Sequence, residues 1–122
     1  VPATDTQRID AAQAYIDALV SHDAGSVPFA PHCTRIEFGL KTGFSGNHLR
    51  RSLNRGLQYR VIESTTAPRY SANGDDVRAE YDVISKPRLL GRRVCAHVDE
   101  TFTFSDDLIT HIQASVRPFI KR

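Results

Sequence analysis

Residues 92–104 read Arg-Arg-Val-Cys-Ala-His-Val-Asp-Glu-Thr-Phe-Thr-Phe. The pattern has period two. Val94, Ala96, Val98, Glu100, Phe102 and Phe104 fall on one face of a strand, and Cys95, His97, Asp99, Thr101 and Thr103 fall on the other. A long strand with one apolar and one polar face belongs to an antiparallel sheet that covers a core on one side only. Glu100 is the ionisable member of the apolar face, so this stretch fixes both a fold element and a candidate for chemistry.

Outward from that strand the same period recurs. Ser105-Asp106-Asp107 is a turn, and Leu108–Pro118 is the last strand. Upstream, Lys86–Gly91 makes a longer connection to a strand over Val77–Ser85, and Asn73-Gly74-Asp75-Asp76 is a hairpin turn. Gln58–Ala67 reads as a further strand stopped at Pro68. The N-terminal half is helical. Thr4 and Gln7 have the spacing of a capping box, and Ile9, Ala12, Ile16, Leu19 and Val20 form an apolar stripe over residues 5–21, with Tyr15 beside it. A short second turn capped by Asp23 or Ser26 runs to Pro28, and Thr34–Gly39 alternates as a first strand. Lys41–Gly46 is a loop, after which Ser45 or Asn47 caps a helix over His48–Asn54 that Gly56 ends. Helices followed by a meander of strands predict an α+β fold, with the helices on one face of a curved, mostly antiparallel sheet.

The bulk composition excludes several classes. The 122 residues, 40% hydrophobic and 25% charged with a formal charge of +2, predict one globular domain over 1–122 and no nucleic-acid coat. No apolar run approaches the ~20 residues of a membrane span, so no membrane partner is expected. The chain begins at Val1 and contains no Met, so a leader could have preceded it. Cys33 and Cys95 lack metal-ligand spacing and read as two buried free thiols of a cytoplasmic protein. His22, His32, His48, His97 and His111 are scattered without metal-ligand spacing, so neither metal nor cofactor is expected. Lys41, Arg50, Arg51, Arg55 and Arg60 lie in a stretch without any acid, from Phe38 to Ile62, and read as a solvated basic helix face.

Ala14-Tyr15-Ile16-Asp17-Ala18-Leu19, Phe29-Ala30-Pro31, Arg35-Ile36-Glu37, Gly43-Phe44-Ser45-Gly46 and the strand after Gly91-Arg92-Arg93 together resemble the nuclear transport factor 2-like superfamily. Within it the chain is similar to the ketosteroid isomerases and the SnoaL-like polyketide cyclases. The resemblance implies a cone-shaped α+β barrel around a pocket, and a homodimer.

The isomerase roles of a carboxylate base, a tyrosine hydroxyl and a protonated acid carry over unequally. The tyrosine falls on Tyr15. The acid falls on Glu100 when counted back from Phe102-Thr103-Phe104 and on Asp99 when counted forward from Gly91; strand parity favours Glu100. The base does not carry over. The position after Ile36-Glu37 is Phe38, and Ile36 and Phe38 share the parity read as inward, so Glu37 is expected to point outward. The resemblance then implies a hydrophobic pocket walled by Phe38, Tyr59, Val61, Tyr81, Val98 and Phe102, with Val116 near them. Such a pocket suits a flat, hydrophobic small molecule with one polar handle. Two functions follow as expectations: a cofactor-free isomerase, cyclase or hydratase using Tyr15 and Glu100, or a non-catalytic binding or dimerisation module.

Overall fold

The computed structural model describes residues 3–121. Helix α1 (Asp5–Ser21) is followed by β1 (Phe29–Glu37), β2 (Leu40–Gly43), α2 (Gly46–Arg55), the short α3 (Leu57–Arg60), β3 (Ile62–Thr65), β4 (Arg69–Asn73), β5 (Asp76–Leu89), β6 (Arg92–Ser105) and β7 (Leu108–Lys121). The strands form one seven-stranded sheet in the order β2-β1-β7-β6-β5-β3, with β4 also paired to β5. All neighbours are antiparallel except β1 and β7. The sheet is curved and unclosed, and the helices lie against its concave side. This is the expected α+β cone.

Helix α1 starts as its sequence dictates. The Thr4 hydroxyl accepts from Gln7 N–H at 3.2 Å, and the Gln7 side chain accepts from Thr4 N–H at 2.9 Å, completing the capping box. Its buried face presents Ala12, Tyr15, Ile16 and Leu19, while Val20 lies off the stripe and is exposed. Tyr15 meets Phe29 and Phe102 edge-on, with ring centroids at 6.1 and 5.3 Å. Such aromatic contacts join helix to sheet, and truncating a ring at this depth costs about 3–5 kcal/mol. Arg8, also buried, donates to the carbonyls of Asp106 (2.9 Å) and Gly74 (3.2 Å) and pairs with Asp75 at 3.0 Å. It holds two hairpin turns to the helix.

Four local expectations change. Residues 57–60 are helical, and the strand begins only at Ile62. The loop over 41–46 is half strand, because Leu40–Gly43 returns along β1 as β2. The stretch Lys86–Gly91 is mostly strand: Arg88 and Leu89 pair with Arg93 and Arg92, leaving a tight turn at Leu90-Gly91. The short second turn before Pro28 is a single non-helical turn at Gly25-Ser26, where Val27 N–H donates to the Ala24 carbonyl at 3.2 Å and Asn54 accepts from Ala24 N–H at 2.8 Å. Within the basic stretch Arg50 is structural, donating to the Val27 carbonyl at 3.0 Å and lying over the Phe29 ring. Arg51 and Arg55 are exposed.

Candidate functional site

A cavity of about 500 Å³ opens between α1, α3 and the concave sheet face. Its floor is made by four buried side chains from four elements: Tyr15 of α1, Arg35 of β1, Tyr81 of β5 and Glu100 of β6. Tyr59, Val61, Val98 and Val116 line its walls, and the exposed Thr42, Gln58, Pro87 and Pro118 mark its mouth.

Strand parity places Glu100 inward, and the cross-strand partners of β6 complete its setting. Tyr81, two residues from the partner of Glu100 on β5, donates its hydroxyl to Glu100 Oε1. Arg35 Nη2 stands 3.6 Å from Glu100 Oε2, and Arg35 Nη1 stands 3.0 Å from Glu37 Oε1. Nη1 also donates to Thr42 Oγ1 at 2.9 Å. One arginine therefore bridges two carboxylates, one almost wholly buried and one with 34% of its side chain exposed.

Burial pushes the Glu100 carboxyl above the ordinary carboxylate value, and Arg35 and Tyr81 only partly oppose this. Burial likewise raises Tyr15, Tyr59 and Tyr81, so all three phenols hold their protons and can donate. Burial works against the Arg35 charge, but the surrounding phenols and carboxylates outweigh it and hold the guanidinium protonated. Three buried polar atoms at this floor have no hydrogen-bond partner among the described residues: the Tyr15 hydroxyl, Arg35 Nε and Glu100 Oε2. Buried polar atoms are normally satisfied, so such a group at the base of an open cavity is one that a ligand can complete.

The site corrects several expectations. Phe38 is not a pocket wall: it sits at the β1–β2 turn with φ +51° and is 63% exposed. The register of β1 against β2 shifts between Arg35 and Ile36, and the inward set is Cys33, Arg35 and Glu37 instead of Ile36 and Phe38. Glu37 thus faces the cavity. Asp99 lies on the opposite sheet face, where Arg78 donates to it at 2.9 and 2.5 Å and holds its carboxyl below the usual range. Phe102 is fully buried, but in the core against Tyr15 and outside the cavity lining. Tyr59, Val61, Tyr81 and Val98 line the cavity, as does Val116. The partner of Glu100 is Arg35. A sequence signal for it exists: Arg35 and Glu37 are two apart, hence on one face of a strand that is otherwise apolar. Cys33 and Cys95 are free and buried, with burial pushing the Cys33 thiol up to about 12. No group of three or more metal-ligating side chains occurs among the described residues. On the outward face His97 bonds Asp82 and His111 bonds Thr34, each at 2.8 Å.

Residues 2–116 match the model of a family described as a domain of unknown function, DUF8021. The chain belongs to the DUF8021 family. No curated protein matches it in sequence. The fold of this DUF8021 member is shared by solved structures of the nuclear transport factor 2-like superfamily. One is such a protein of unknown function from Cytophaga hutchinsonii, with TM-score 0.73, 13% identity, and 92% of this chain and 97% of that one covered. A second is an LEH-like epoxide hydrolase from M. tuberculosis, with TM-score 0.71, 20% identity and coverage of 91% and 83%. A third, of the SnoaL-like family from Agrobacterium tumefaciens, has TM-score 0.66, 12% identity and coverage of 91% and 97%. At these identities the likeness of the DUF8021 chain to them is one of fold.

Proposed function

We propose that the cavity binds a hydrophobic small molecule with one polar oxygen and performs cofactor-free acid–base chemistry on it, of the isomerase, cyclase or hydratase type. The observation that supports this reading is the set of buried atoms that make no hydrogen bond among the described residues, Tyr15 hydroxyl, Arg35 Nε and Glu100 Oε2, at the base of a mainly apolar cavity. Tyr15 donates a hydrogen bond to the ligand oxygen, and Glu100, its carboxyl raised above the ordinary value by burial, is the acid. Glu37 is the carboxylate positioned to take a proton, on the more exposed side of Arg35.

Within that range, addition of water uses the most of what is present. Glu37 removes a proton from a water molecule, the water oxygen bonds to a substrate carbon, and the bond from that carbon to a substrate oxygen breaks. Glu100 delivers a proton to the departing oxygen, and Arg35 stabilises whichever carboxylate is charged at each stage. That one fold relative is an epoxide hydrolase supports this member of the range.

The test is a panel of hydrophobic alcohols, ketones and epoxides. Binding is read by ligand-induced thermal stabilisation, and turnover by mass spectrometry. Stabilisation is expected for the wild type and weakened in Tyr15→Phe and Glu100→Gln. Turnover is expected to drop on the order of 10²-fold or more in Glu37→Gln with binding retained. Turnover and affinity unchanged in Glu100→Gln would falsify the catalytic assignment and leave a ligand-binding or dimerisation module.

A further inference from the structure

The β5 and β6 strands meet in a two-residue turn, Leu90-Gly91, with φ +52° and +78°. Both central residues of such a turn take the left-handed region, which glycine and asparagine accept and leucine does not accept without strain. Leu90 is also 94% exposed. Strain and exposure together cost stability, and no contact within the fold repays them. Leu89 beside it is half exposed, and on the neighbouring strand Phe119 and Ile120 are exposed as well.

These residues crowd one end of the molecule. The cavity mouth reaches this end, since its Pro87 and Pro118 directly precede Arg88-Leu89-Leu90 and Phe119-Ile120 in the chain.

The charges are divided along the same axis. The opposite end of β5 and β6 carries the turns with Asp75, Asp76, Asp106 and Asp107. At the cavity end Lys86, Arg88, Arg92 and Lys121 have no ion pair among the described residues, while Arg93 is paired with Glu63. Arg88 lies directly across from Arg93, and Arg93 from Lys121, placing three cations in a row over three strands beside a second concavity of about 460 Å³. Like charges directly opposite on a sheet repel. An anionic surface relieves that repulsion.

We propose that the protein docks on anionic lipid surfaces by this end, with Leu89 and Leu90 entering the acyl boundary and the lysines and arginines meeting the headgroups. The contact is peripheral: among the described residues no helix is long and apolar enough to cross a membrane. Exposed leucines within a cationic collar match a headgroup layer over hydrocarbon. A second copy is disfavoured on this end, because a two-fold contact would set one cationic collar against another. Docked this way the cavity mouth faces the bilayer, so that an apolar ligand passes from lipid to cavity without crossing water. This last consequence rests on the proposed function; the docking does not.

The experiment is flotation with phosphatidylcholine vesicles, with and without phosphatidylserine, on the wild type, Leu90→Asp and the double variant Arg88→Glu/Arg92→Glu. Aspartate accepts the left-handed conformation better than leucine, so Leu90→Asp is expected to fold with an undiminished melting temperature. The wild type is expected to float only with phosphatidylserine and to be released by salt, with affinity roughly tenfold or more weaker in either variant. Because the chain contains no tryptophan, Leu90→Trp adds a sole reporter whose emission should shift to the blue on binding. Absence of flotation with phosphatidylserine overturns the proposal, as does equal flotation of Leu90→Asp. So does a wild-type dimer in light scattering that Leu90→Asp dissolves, which would make this end an interface between copies. Nile red binding in the absence of vesicles reads the cavity separately. Leu90→Asp should retain it, and its failure in the wild type would count against the ligand cavity and not against docking.

Discussion

Arg35 Nη2 lies 3.6 Å from Glu100 Oε2, with both side chains almost wholly withdrawn from water. An ion pair at this depth contributes little net stability, because desolvation offsets the attraction, but removing one member strands the other. Arg35→Met is therefore expected to cost about 3–5 kcal/mol. Glu100→Gln, which keeps a hydrogen-bonding side chain, is expected to cost less. The double variant Arg35→Met/Glu100→Gln should be less destabilised than the sum of the singles, as coupled sites are. Urea unfolding of the four proteins measures this, and strict additivity would show that the two groups do not interact.

Glu100 also predicts a pH dependence of stability. Its carboxyl is held above its ordinary value of 4.5 by burial. As pH rises past that value the unfolded chain releases this proton while the folded chain still holds it. The unfolded state then binds fewer protons than the native state, and stability falls with rising pH until Glu100 itself ionises. The loss begins near the ordinary value and ends at the raised one. Glu100→Gln removes this component, so the difference in unfolding midpoint between wild type and variant should narrow or reverse across the window. Parallel profiles would show that Glu100 ionises normally in the fold.

Two tyrosines at the cavity floor should respond differently to loss of a hydroxyl. The Tyr81 hydroxyl donates to Glu100, and Tyr81→Phe leaves a buried carboxyl oxygen unmatched, at a cost of about 1–3 kcal/mol. The Tyr15 hydroxyl is buried without a partner, so Tyr15→Phe is expected to leave stability within about 0.5 kcal/mol or raise it slightly. Affinity for a ligand oxygen should fall in Tyr15→Phe all the same. A Tyr15→Phe protein as destabilised as Tyr81→Phe would mean that the Tyr15 hydroxyl has a structural partner.

The long strands were legible because period two is written into them. Val98 to Phe104 gives the inward face of β6 directly, and with it the choice of Glu100 over Asp99 as the buried acid, whereas at the start of the strand Cys95 is buried and Val94 and Ala96 are only half-buried. The first strand was not legible by the same rule. Ile36 and Phe38 are the more apolar pair, but β1 keeps period two with Cys33, Arg35 and Glu37 inward, and Phe38 lies beyond the strand in the turn. An inward face that carries an arginine and a carboxylate for a site reads as the outward face when hydrophobicity alone is followed, because the two charges satisfy each other inside. The helix over 57–60 was missed for a related reason: Tyr59 and Val61 have strand-forming side chains, while one short turn of helix is decided by what it packs against.

Gly46 provides a test of how the site is held from outside. It opens α2 directly after the Ser45 cap, whose hydroxyl accepts from His48 N–H at 3.1 Å. A Cβ placed on Gly46 would lie 2.5 Å from the Ala30 carbonyl oxygen and 3.2 Å from Phe29 Cβ. The nearer obstacle is backbone, so a side-chain rotation cannot relieve it, and α2 would have to move away from β1. Gly46→Ala is accordingly expected to destabilise by about 1–3 kcal/mol, despite the better helix propensity of alanine. The displacement would also reach the cavity, since Phe29 packs edge-on against Tyr15. Urea unfolding should show the loss of stability, and ligand-induced stabilisation should weaken with it. An unchanged unfolding midpoint in Gly46→Ala would show that α2 does not depend on this close approach to β1.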